Sequence, residues 1–330
     1  MKRIARLIGL TAAMALVGGA ASAQAQNYPN KPARVIVPLP AGSPAEVVPR
    51  AMADALGRAF GQPYVVDNKP GGDAIIGAEA CAKAAPDGYT LCGLSHAPIV
   101  LNPLFHDKLP YDPVNGFAPI GYLGRFAGAF AVDARLPVKN MAEFIELARS
   151  KPGSLSWATL GGTSMGPLFT AWFKQNQNVT FLQVPFKSTL EGMNAVVAGD
   201  VSSVVIAVGP TVQLARAGKL KLLAVTSPSR WGAVPEVPTM KEAGFEMPLA
   251  FNTWLGLFAP AGTPPDIVRR INAEMVKNMT DPAFKSRVLT ATGLDGDDYA
   301  RATPAEFEAF IRNDREVINR LAAAAGLGKR

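Results

Sequence analysis

Residues 34–44, with the sequence RVIVPLPAGSP, decide how this chain begins to fold. The apolar run at 34–37 predicts a β-strand, and the proline- and glycine-containing residues after it predict a tight turn. Residues 46–60 then carry the apolar spacing of an amphipathic helix. A strand, a turn and a helix in direct succession predict the first half of a β–α–β unit.

The same alternation of apolar runs and helical patterns continues along the chain. It predicts strands at 34–37, 64–66, 90–94, 155–158, 201–208 and 220–226, and helices at 46–60, 74–85, 141–150, 167–175, 190–198, 212–217 and from 304 to about 325. Strands that alternate with helices are typical of an α/β protein with parallel sheets covered on both faces. Ligands of such sheets bind beyond the carboxyl ends of the strands.

The first 25 residues have the layout of a secretory signal peptide. Three basic side chains precede an apolar stretch at 7–17, and two Ala-x-Ala cleavage sites follow at 21–23 and 23–25. The apolar stretch is shorter than the roughly 20 residues that span a bilayer. We therefore predict export of the protein to the periplasm and cleavage at one of the two sites.

The length and the net charge of the chain restrict the number of lobes and the kind of ligand. Removing the first 25 of 330 residues leaves 305, more than one hydrophobic core usually organises, so two lobes are expected. The net charge of +7 falls to about +4 without the three basic residues of the signal peptide. No lysine- or arginine-rich block is present, so we predict no nucleic-acid partner. A mild positive field favours a small anionic ligand.

The motifs of cofactor and metal sites are missing from the sequence. It contains no phosphate-binding loop and no Gly-x-Gly-x-x-Gly pattern. Its two histidines, His96 and His106, lack the spacing of metal ligands. We predict no cofactor and no bound metal.

Two cysteines, Cys81 and Cys92, remain after export. Cys81 falls late in a predicted helix and Cys92 lies in the next predicted strand, which can bring them together. An oxidising compartment permits a disulfide between them, and two buried free thiols are the alternative.

One short motif occurs twice. Residues 40–44 (PAGSP) recur as residues 260–264 (PAGTP), each after an apolar strand and before a helical pattern. Ser43 with Glu46, and Thr263 with Asp266, have the spacing of an N-cap hydroxyl followed by an acid. Two well-capped helices explain both copies, but the same geometry also offers free N–H groups to a carboxylate.

Residues 161–167 (GGTSMGP) allow two interpretations. Gly-x-Ser-x-Gly from Gly162 is the pattern of a hydrolase nucleophile elbow, which makes Ser164 a nucleophile. The hydrolases with this elbow place their histidine after the serine, but both histidines here precede Ser164. The alternative is a turn that binds an anion through backbone N–H groups and the hydroxyls of Thr159, Thr163 and Ser164, or an ordinary helix cap.

Motifs along the whole mature chain resemble the Bug family, the TctC-like periplasmic solute-binding proteins of tripartite tricarboxylate transporters. The resemblance is carried by residues 28–38, 66–72, 84–91, 102–103, 109–113, 184–187, 217–220, 224–227, 237–239 and 254–264. It implies two α/β lobes joined by two crossovers, with the ligand in the cleft between them. By this resemblance, lobe 1 takes residues 26–124 and 253–330, lobe 2 takes 125–252, and hinges lie at Gly124 and at 252–253.

The resemblance also implies the ligand, the partner and the site. We expect a monomer that binds a small carboxylate and delivers it to the membrane subunits of a tripartite transporter. The expected ligand-binding residues come from two strand-to-helix turns, one further loop and the end of a strand: Leu39, Pro40, Ala41, Gly42, Ser43, Ser95, His96, Thr159, Gly161, Gly162, Thr163, Ser164, Ile206 and Ala207.

Three departures from the family pattern bear on the ligand. In the first turn, Ser43 stands where a second glycine is usual and Glu46 replaces an aspartate. The second turn ends in residues 165–167 (MGP) rather than in a Ser-Pro-His-like run. The third departure is at the end of the strand after Val201. Family members often place an aspartate near Ile206 and Ala207, where it can face a ligand amine. A buried ammonium without a carboxylate partner is costly. We therefore expect a carboxylate with an apolar or aromatic body rather than aspartate or glutamate.

Two other functions remain as alternatives. The first is an exported serine hydrolase that uses Ser164. The second is an orphan receptor of the same family that feeds a sensor kinase.

Overall fold

The computed structural model describes residues 28–159, 165–247, 253–295, 302–324 and 327. The predicted signal peptide, residues 161–164 of the second turn and Asn252 lie outside this part of the chain.

Eleven strands form within the described residues. They are β1 (Ala33–Val37), β2 (Tyr64–Asn68), β3 (Thr90–Ser95), β4 (Phe117–Phe126), β5 (Gly128–Asp133), β6 (Ser156–Thr159), β7 (Leu182–Pro185), β8 (Ser203–Ala207), β9 (Leu220–Val225), β10 (Trp254–Pro260) and β11 (Leu294–Asp295).

Helices surround the strands. They are α1 (Pro44–Phe60), α2 (Ile75–Ala82), α3 (Asn102–Phe105), α4 (Met141–Ser150), α5 (Met165–Gln177), α6 (Thr189–Ala198), α7 (Val208–Arg216), α8 (Pro265–Thr280), α9 (Pro282–Phe284) and α10 (Pro304–Ala324), with π-helical segments at Ala97–Leu101 and Lys285–Thr290. None of the helices in the described ranges is both long enough and apolar enough to cross a membrane.

The strands form two sheets, which confirms the predicted two-lobed α/β fold. One sheet has the order β11-β4-β10-β3-β1-β2 and the other the order β7-β6-β8-β5-β9. Strands β1 to β3 and β6 to β8 pair in parallel within their sheets. Strands β4, β5, β9, β10 and β11 pair antiparallel to their neighbours. The expectation of wholly parallel sheets is therefore wrong.

Four of these antiparallel strands, β4, β5, β9 and β10, flank the two crossovers between the sheets. β4 ends at Phe126 and β5 begins at Gly128 in the other sheet, and the chain returns between β9 and β10. The two crossovers lie side by side, because the Phe126 N–H donates to the Thr253 carbonyl over 2.8 Å. β5, the first strand after the crossover, pairs antiparallel with both of its neighbours, β8 and β9.

Several strands were missed by sequence reasoning. β4 contains Pro119, Gly121 and Gly124, which are poor strand formers. Pro119 is tolerated because β11 pairs with β4 only at residues 125 and 126, so its missing N–H interrupts no ladder on that side. The pairing partners that make β4 a strand lie far away in the sequence, on β10.

Helices cover both faces of the six-stranded sheet. Val48 and Leu56 of α1 pack with Ile271 and Met275 of α8 in one apolar cluster. The helix predicted from residue 304 is confirmed as α10, and its Phe307 belongs to a second cluster. Thr303 starts this helix with reciprocal hydrogen bonds to Glu306, the arrangement of a capping box.

Cys81 and Cys92 form a disulfide bond that ties α2 to β3. Their Cα atoms are 6.1 Å apart, and both side chains are fully buried. The bond therefore fixes a helix to a central strand of the six-stranded sheet.

Replacing both cysteines with alanine is expected to lower the free energy of unfolding by roughly 2–3 kcal/mol. A cross-link over a sequence separation of 11 residues restricts the unfolded chain by about that amount. Urea denaturation measures the loss. Dithiothreitol should lower the wild-type midpoint and leave the double variant unchanged; equal midpoints for wild type and variant would contradict the prediction.

Candidate functional site

The predicted first turn, residues 39–43, connects β1 to the amino end of α1. Gly42 has a φ of 77°, a left-handed conformation that favours glycine. Ser43 is the N-cap residue of α1. Its Oγ is buried and has no hydrogen-bond partner. A buried hydroxyl without a partner is uncommon in folded proteins, and here it lies at the positive end of a 17-residue helix.

Glu46 anchors this turn from within α1. Its carboxylate accepts hydrogen bonds from the Gly42 N–H over 3.1 Å, from Arg50 Nε over 2.7 Å and from Asn68 Nδ2 over 3.2 Å. Asn68 Nδ2 also donates to the Leu39 carbonyl over 3.0 Å. Both ends of the turn are thus tied to one buried carboxylate and to its amide neighbour.

The charge of Glu46 is maintained despite its complete burial. Desolvation by itself favours the neutral acid, but the hydrogen bonds from Arg50, Gly42 and Asn68 outweigh it and lower the pKa of Glu46. An ionised carboxylate with three donors is a rigid support for the turn above it.

The sequence predicts that the hydroxyls of Ser43 and Thr263 cap the helices that follow them. This prediction is wrong, because neither hydroxyl makes a cap hydrogen bond. Ser43 Oγ makes no cap hydrogen bond, because Glu46 bonds to Gly42 instead of completing a capping box with Ser43. In the second copy Thr263 Oγ1 donates to the Pro260 carbonyl over 2.8 Å, and Pro264 is the N-cap residue of α8. The second hydroxyl is therefore satisfied within its own turn.

The two copies also lie at opposite edges of the six-stranded sheet. β1 runs parallel to β3, whereas β10 runs antiparallel to β3. The carboxyl end of β1 therefore shares an edge with the start of β10 at Trp254, and Pro260 lies at the other edge. Only residues 40–44 face the side from which the chain crosses to the second sheet.

Ser95 and His96 lie at the same edge as residues 39–43. Ile36 on β1 pairs with Cys92 on β3, so the two parallel strands end at the same edge, at Val37 and Ser95. The side chain of His96 is 3% exposed, and neither ring nitrogen has a hydrogen-bond partner. Burial lowers the pKa of His96 to about 4, so the ring is neutral at neutral pH.

In the second sheet, Thr159 ends β6, and Ile206 and Ala207 end the parallel neighbour β8. Thr159 is buried beneath the first turn of α5, where a Cβ on Gly166 would come within 2.7 Å of Thr159 Cγ2. Residues 165–167, which differ from the family pattern, thus include the glycine that this close packing against Thr159 requires. Ile206 packs in an apolar cluster with Ala131 and Ala158.

The predicted ligand-binding residues of both sheets lie close to the two crossovers. Ala207 pairs with Gly128, the first residue of β5, and the Val208 N–H donates to the Ala127 carbonyl over 2.8 Å. Trp254, the first residue of β10, pairs with Arg125 at the end of β4. Leu39, Ser43, Ser95 and His96 lie at the edge of the first sheet from which the chain leaves, and Thr159, Ile206 and Ala207 at the edge where it arrives.

Sequence reasoning missed Arg50 and Asn68, which support the first turn. A signal for Arg50 was available, because Glu46 and Arg50 are four residues apart on a helix and form an ion pair. Asn68 gave no local signal. It reaches Leu39 because β2 is the parallel neighbour of β1 and both strands end together.

The family model of the tripartite tricarboxylate transporter family receptor, TctC, matches residues 48–326. The chain belongs to this receptor family. A TctC relative from Bordetella bronchiseptica, described as a UPF0065 protein, is 30% identical over 93% of this chain and 89% of its own. Protein BugT from Bordetella pertussis is 29% identical over 95% and 94% of the two chains. The predicted resemblance to the Bug family is therefore confirmed.

Solved structures of other proteins share the TctC fold. Rpa4515 of R. palustris, determined with adipate, superimposes with a TM-score of 0.80 at 27% identity and covers 91% of this chain and 99% of its own. MatC from Rhodopseudomonas palustris, determined with bound malate, has a TM-score of 0.73 at 27% identity, with coverages of 90% and 100%. Both are similar to this chain over most of its length.

Proposed function

We propose that this TctC-family receptor is a periplasmic solute-binding protein that captures a small organic carboxylate between its two lobes. It then presents the closed, loaded form to a tripartite tricarboxylate-type transporter in the membrane. The predicted signal peptide at 1–25 provides the export that this role requires. Ligand binding shifts the equilibrium from an open to a closed arrangement of the two lobes.

The buried Ser43 Oγ without a partner is the observation that carries the proposal. It lies at the amino end of α1, where the positive end of the helix dipole favours an anion. A ligand carboxylate at this position satisfies the hydroxyl and the helix end together. We expect Thr159 and residues 161–164 of lobe 2 to supply further donors to the same ligand.

The residues at the end of β8 indicate which chemical groups the ligand carries besides its carboxylate. Residues 203–207 include no acidic side chain, and Ile206 lies in an apolar cluster. An amine on the ligand finds no carboxylate there, and its burial is costly. The adipate and malate of the two solved relatives contain no amine. We infer a carboxylate with an apolar body rather than aspartate or glutamate.

The lobe boundaries belong to the same proposal. Lobe 1 comprises residues 26–124 and 253–330, and lobe 2 comprises 125–252, with hinges at Gly124 and at 252–253. Gly124 has a φ of 130°, and a Cβ there would come within 2.7 Å of Leu294 Cδ2. The adjacent hydrogen bond between Phe126 and Thr253 couples the two crossovers, so both move together during closure.

A thermal-shift screen of aliphatic and aromatic carboxylates, followed by calorimetry, tests the proposal on the refolded, ligand-free protein. A ligand at about 100 times its Kd adds about 2.7 kcal/mol to the free energy of unfolding. Tight binding of aspartate or glutamate, without binding of amine-free carboxylates, would contradict it. Uptake by reconstituted transporter subunits tests delivery separately.

Replacing Ser43 with alanine is expected to weaken carboxylate binding about 10- to 100-fold. This is the range for losing one hydrogen bond to a charged group. Calorimetry with the best ligand from the screen measures the loss. Thr263→Ala is the matched control, because the second motif lies at the opposite edge of the sheet and its hydroxyl bonds within its own turn. Equal losses in both variants would overturn the assignment.

A further inference from the structure

Asp314 is a buried carboxyl group that the carboxylate site described above does not use. It lies on α10 and is 5% exposed. Its Oδ2 atom accepts a hydrogen bond from the Trp254 indole N–H over 2.8 Å. Aspartate side chains are almost never fully buried unless they are paired. The surroundings of Asp314 therefore decide whether it keeps its charge.

Trp254 connects Asp314 to the edge of the six-stranded sheet that carries the proposed site. It is the first residue of β10, directly after the second crossover, and its ring centroid is 6.2 Å from that of His96. The same ring packs against Phe307 and Phe310 of α10 at centroid distances of 5.7 Å. A single side chain thus links the buried carboxyl group to a residue at this edge.

Two guanidinium groups act on the charge of Asp314. Arg125, at the end of β4, is 6% exposed and pairs in register with Trp254. Arg315, the next residue on α10, donates to two backbone carbonyls of the loops beside it and also attracts Asp112. Both guanidinium groups favour the ionised form of Asp314.

Among the residues that the structure describes, the other neighbours of α10 add no charge close to Asp314. α10 packs against β4, α5, α8 and the π-helical segment Ala97–Leu101. This segment has no ionisable side chain, and His96 before it is neutral at neutral pH. The buried face of α8 carries Asn272 but no charged residue, and Lys174 of α5 is exposed. From β4, Tyr122 faces α10 through its ring.

Burial dominates the ionisation of Asp314. Desolvation raises its pKa to about 6, because the hydrogen bond from Trp254 and the two guanidinium groups offset only part of the desolvation. The side chain is therefore ionised at neutral pH and neutral in mild acid. This change of charge takes place inside the protein, where charges interact more strongly than they do in water.

We propose that Asp314 is a proton-binding site coupled to ligand capture, so that uptake of a proton strengthens the binding of an anion between the lobes. This inference rests on the proposed function, in which the ligand is a carboxylate at the edge marked by Ser43. An ionised Asp314 behind the same edge repels that carboxylate, whereas the neutral acid does not. By reciprocity, the bound carboxylate favours the protonated form of Asp314. The affinity should therefore increase as the pH falls through the titration of Asp314.

Calorimetric titrations between about pH 7.5 and about pH 5 test this coupling on the ligand-free protein. Benzoate, phenylacetate and adipate are the probes, and each affinity is expressed for the fully ionised acid; if none of them binds, the tightest acid from the thermal-shift screen replaces them. We expect wild type to bind about 3- to 10-fold more tightly at the acidic end, the size of one charge interaction across roughly 10 Å of protein. Titrations in two buffers with different ionisation enthalpies should also show proton uptake near pH 6.

Asp314→Asn is the neutral counterpart of the protonated side chain, since its amide oxygen can still accept the Trp254 N–H. It should bind at neutral pH as tightly as acidified wild type does, and its affinity should not change with pH. His106→Gln is the matched control. His106 forms an ion pair with Asp73 and lies outside the cluster around Asp314, so this variant should keep the full pH dependence.

The outcomes separate this inference from the function on which it rests. If no carboxylate of the screen binds at any pH, the proposed function fails. The role of Asp314 fails, while carboxylate binding stands, if the wild-type affinity is independent of pH or if Asp314→Asn retains the pH dependence. Loss of the pH dependence in His106→Gln also overturns the inference.

The indole N–H signal of Trp254 in NMR provides a readout on the wild-type protein. The chain contains four tryptophans, and Trp254→Phe assigns the signal that disappears. Because this N–H donates to Asp314, its chemical shift should follow the ionisation of the carboxyl group with a midpoint at about pH 6. A saturating carboxylate should move that midpoint to higher pH; an unchanged midpoint would refute the coupling.

Discussion

Replacing Glu46 with alanine is expected to lower the free energy of unfolding by about 3–4 kcal/mol. The substitution removes a fully buried carboxylate, and with it the acceptor of the Gly42 N–H and one acceptor each of Asn68 and Arg50. Breaking a buried ion pair by removing one partner costs about 3–5 kcal/mol, and the lower part of that range applies because the Arg50 side chain is 44% exposed. Urea denaturation at neutral pH measures the loss.

Glu79→Ala is the matched control for this prediction. Glu79 also forms an ion pair with a basic residue four positions later, Lys83, but both side chains are exposed to water. Exposed helical pairs contribute about 0.3–0.5 kcal/mol, so this variant should lie close to wild type. Losses of similar size in the two variants would show that the buried network adds nothing.

The same network predicts a dependence on pH. The pKa of Glu46 is lower in the folded protein than in the unfolded chain, so its contribution is fully present above about pH 4.3, the unfolded value. It is lost as pH falls through the folded pKa. The stability difference between wild type and Glu46→Gln should therefore shrink as the solution is acidified below that range; a difference that stays constant would contradict the assigned charge.

Replacing Trp157 with alanine is expected to lower the free energy of unfolding by about 3–5 kcal/mol. Trp157 is 1% exposed and lies at the centre of the aromatic core beneath the five-stranded sheet. Its ring centroid is 5.0 Å from that of Phe130, 5.2 Å from Phe181 and 5.8 Å from Phe173. Removing a large buried aromatic ring costs the lost burial and leaves a cavity.

Leu182→Ala, on the neighbouring strand β7, is the control for this effect. Leu182 is 60% exposed, and its loss should change the free energy of unfolding by less than about 0.5 kcal/mol. Because Trp157 lies two residues before Thr159, the alanine variant should also weaken carboxylate binding. A stable Trp157→Ala protein with unchanged affinity would show that this core does not position the second turn.

Much of the fold was predictable because its helices and buried strands carry strong local patterns. The helix predicted at 46–60 is α1 (Pro44–Phe60), and the strand predicted at 90–94 is β3 (Thr90–Ser95). β4 was not predictable, since its proline and glycines are poor strand formers and its pairing partner β10 lies far away in the sequence. The mixed direction of the sheets was missed for the same reason, because it arises from crossovers between distant segments.

The candidate site divides in a similar way. Gly42 and Ser43 stood out in the sequence because a glycine and a hydroxyl follow a strand and precede a helix. Asn68 and Trp254 did not, since each reaches its place through a neighbouring strand rather than along its own. Ser164, the residue that raised the hydrolase alternative, lies outside the described residues, and its role stays a prediction.

The repeated motif shows what the sequence determined by itself and what the tertiary structure decided. Residues 40–44 and 260–264 both specify a turn at the end of a strand and the start of a helix, because those preferences are local. Which copy faces the second sheet depends on strand direction: β1 is parallel to β3, and β10 is antiparallel to it. That direction is set by hydrogen bonds between strands far apart in the chain. The fold alone therefore leaves the Ser43 hydroxyl without a partner and gives the Thr263 hydroxyl one within its own turn.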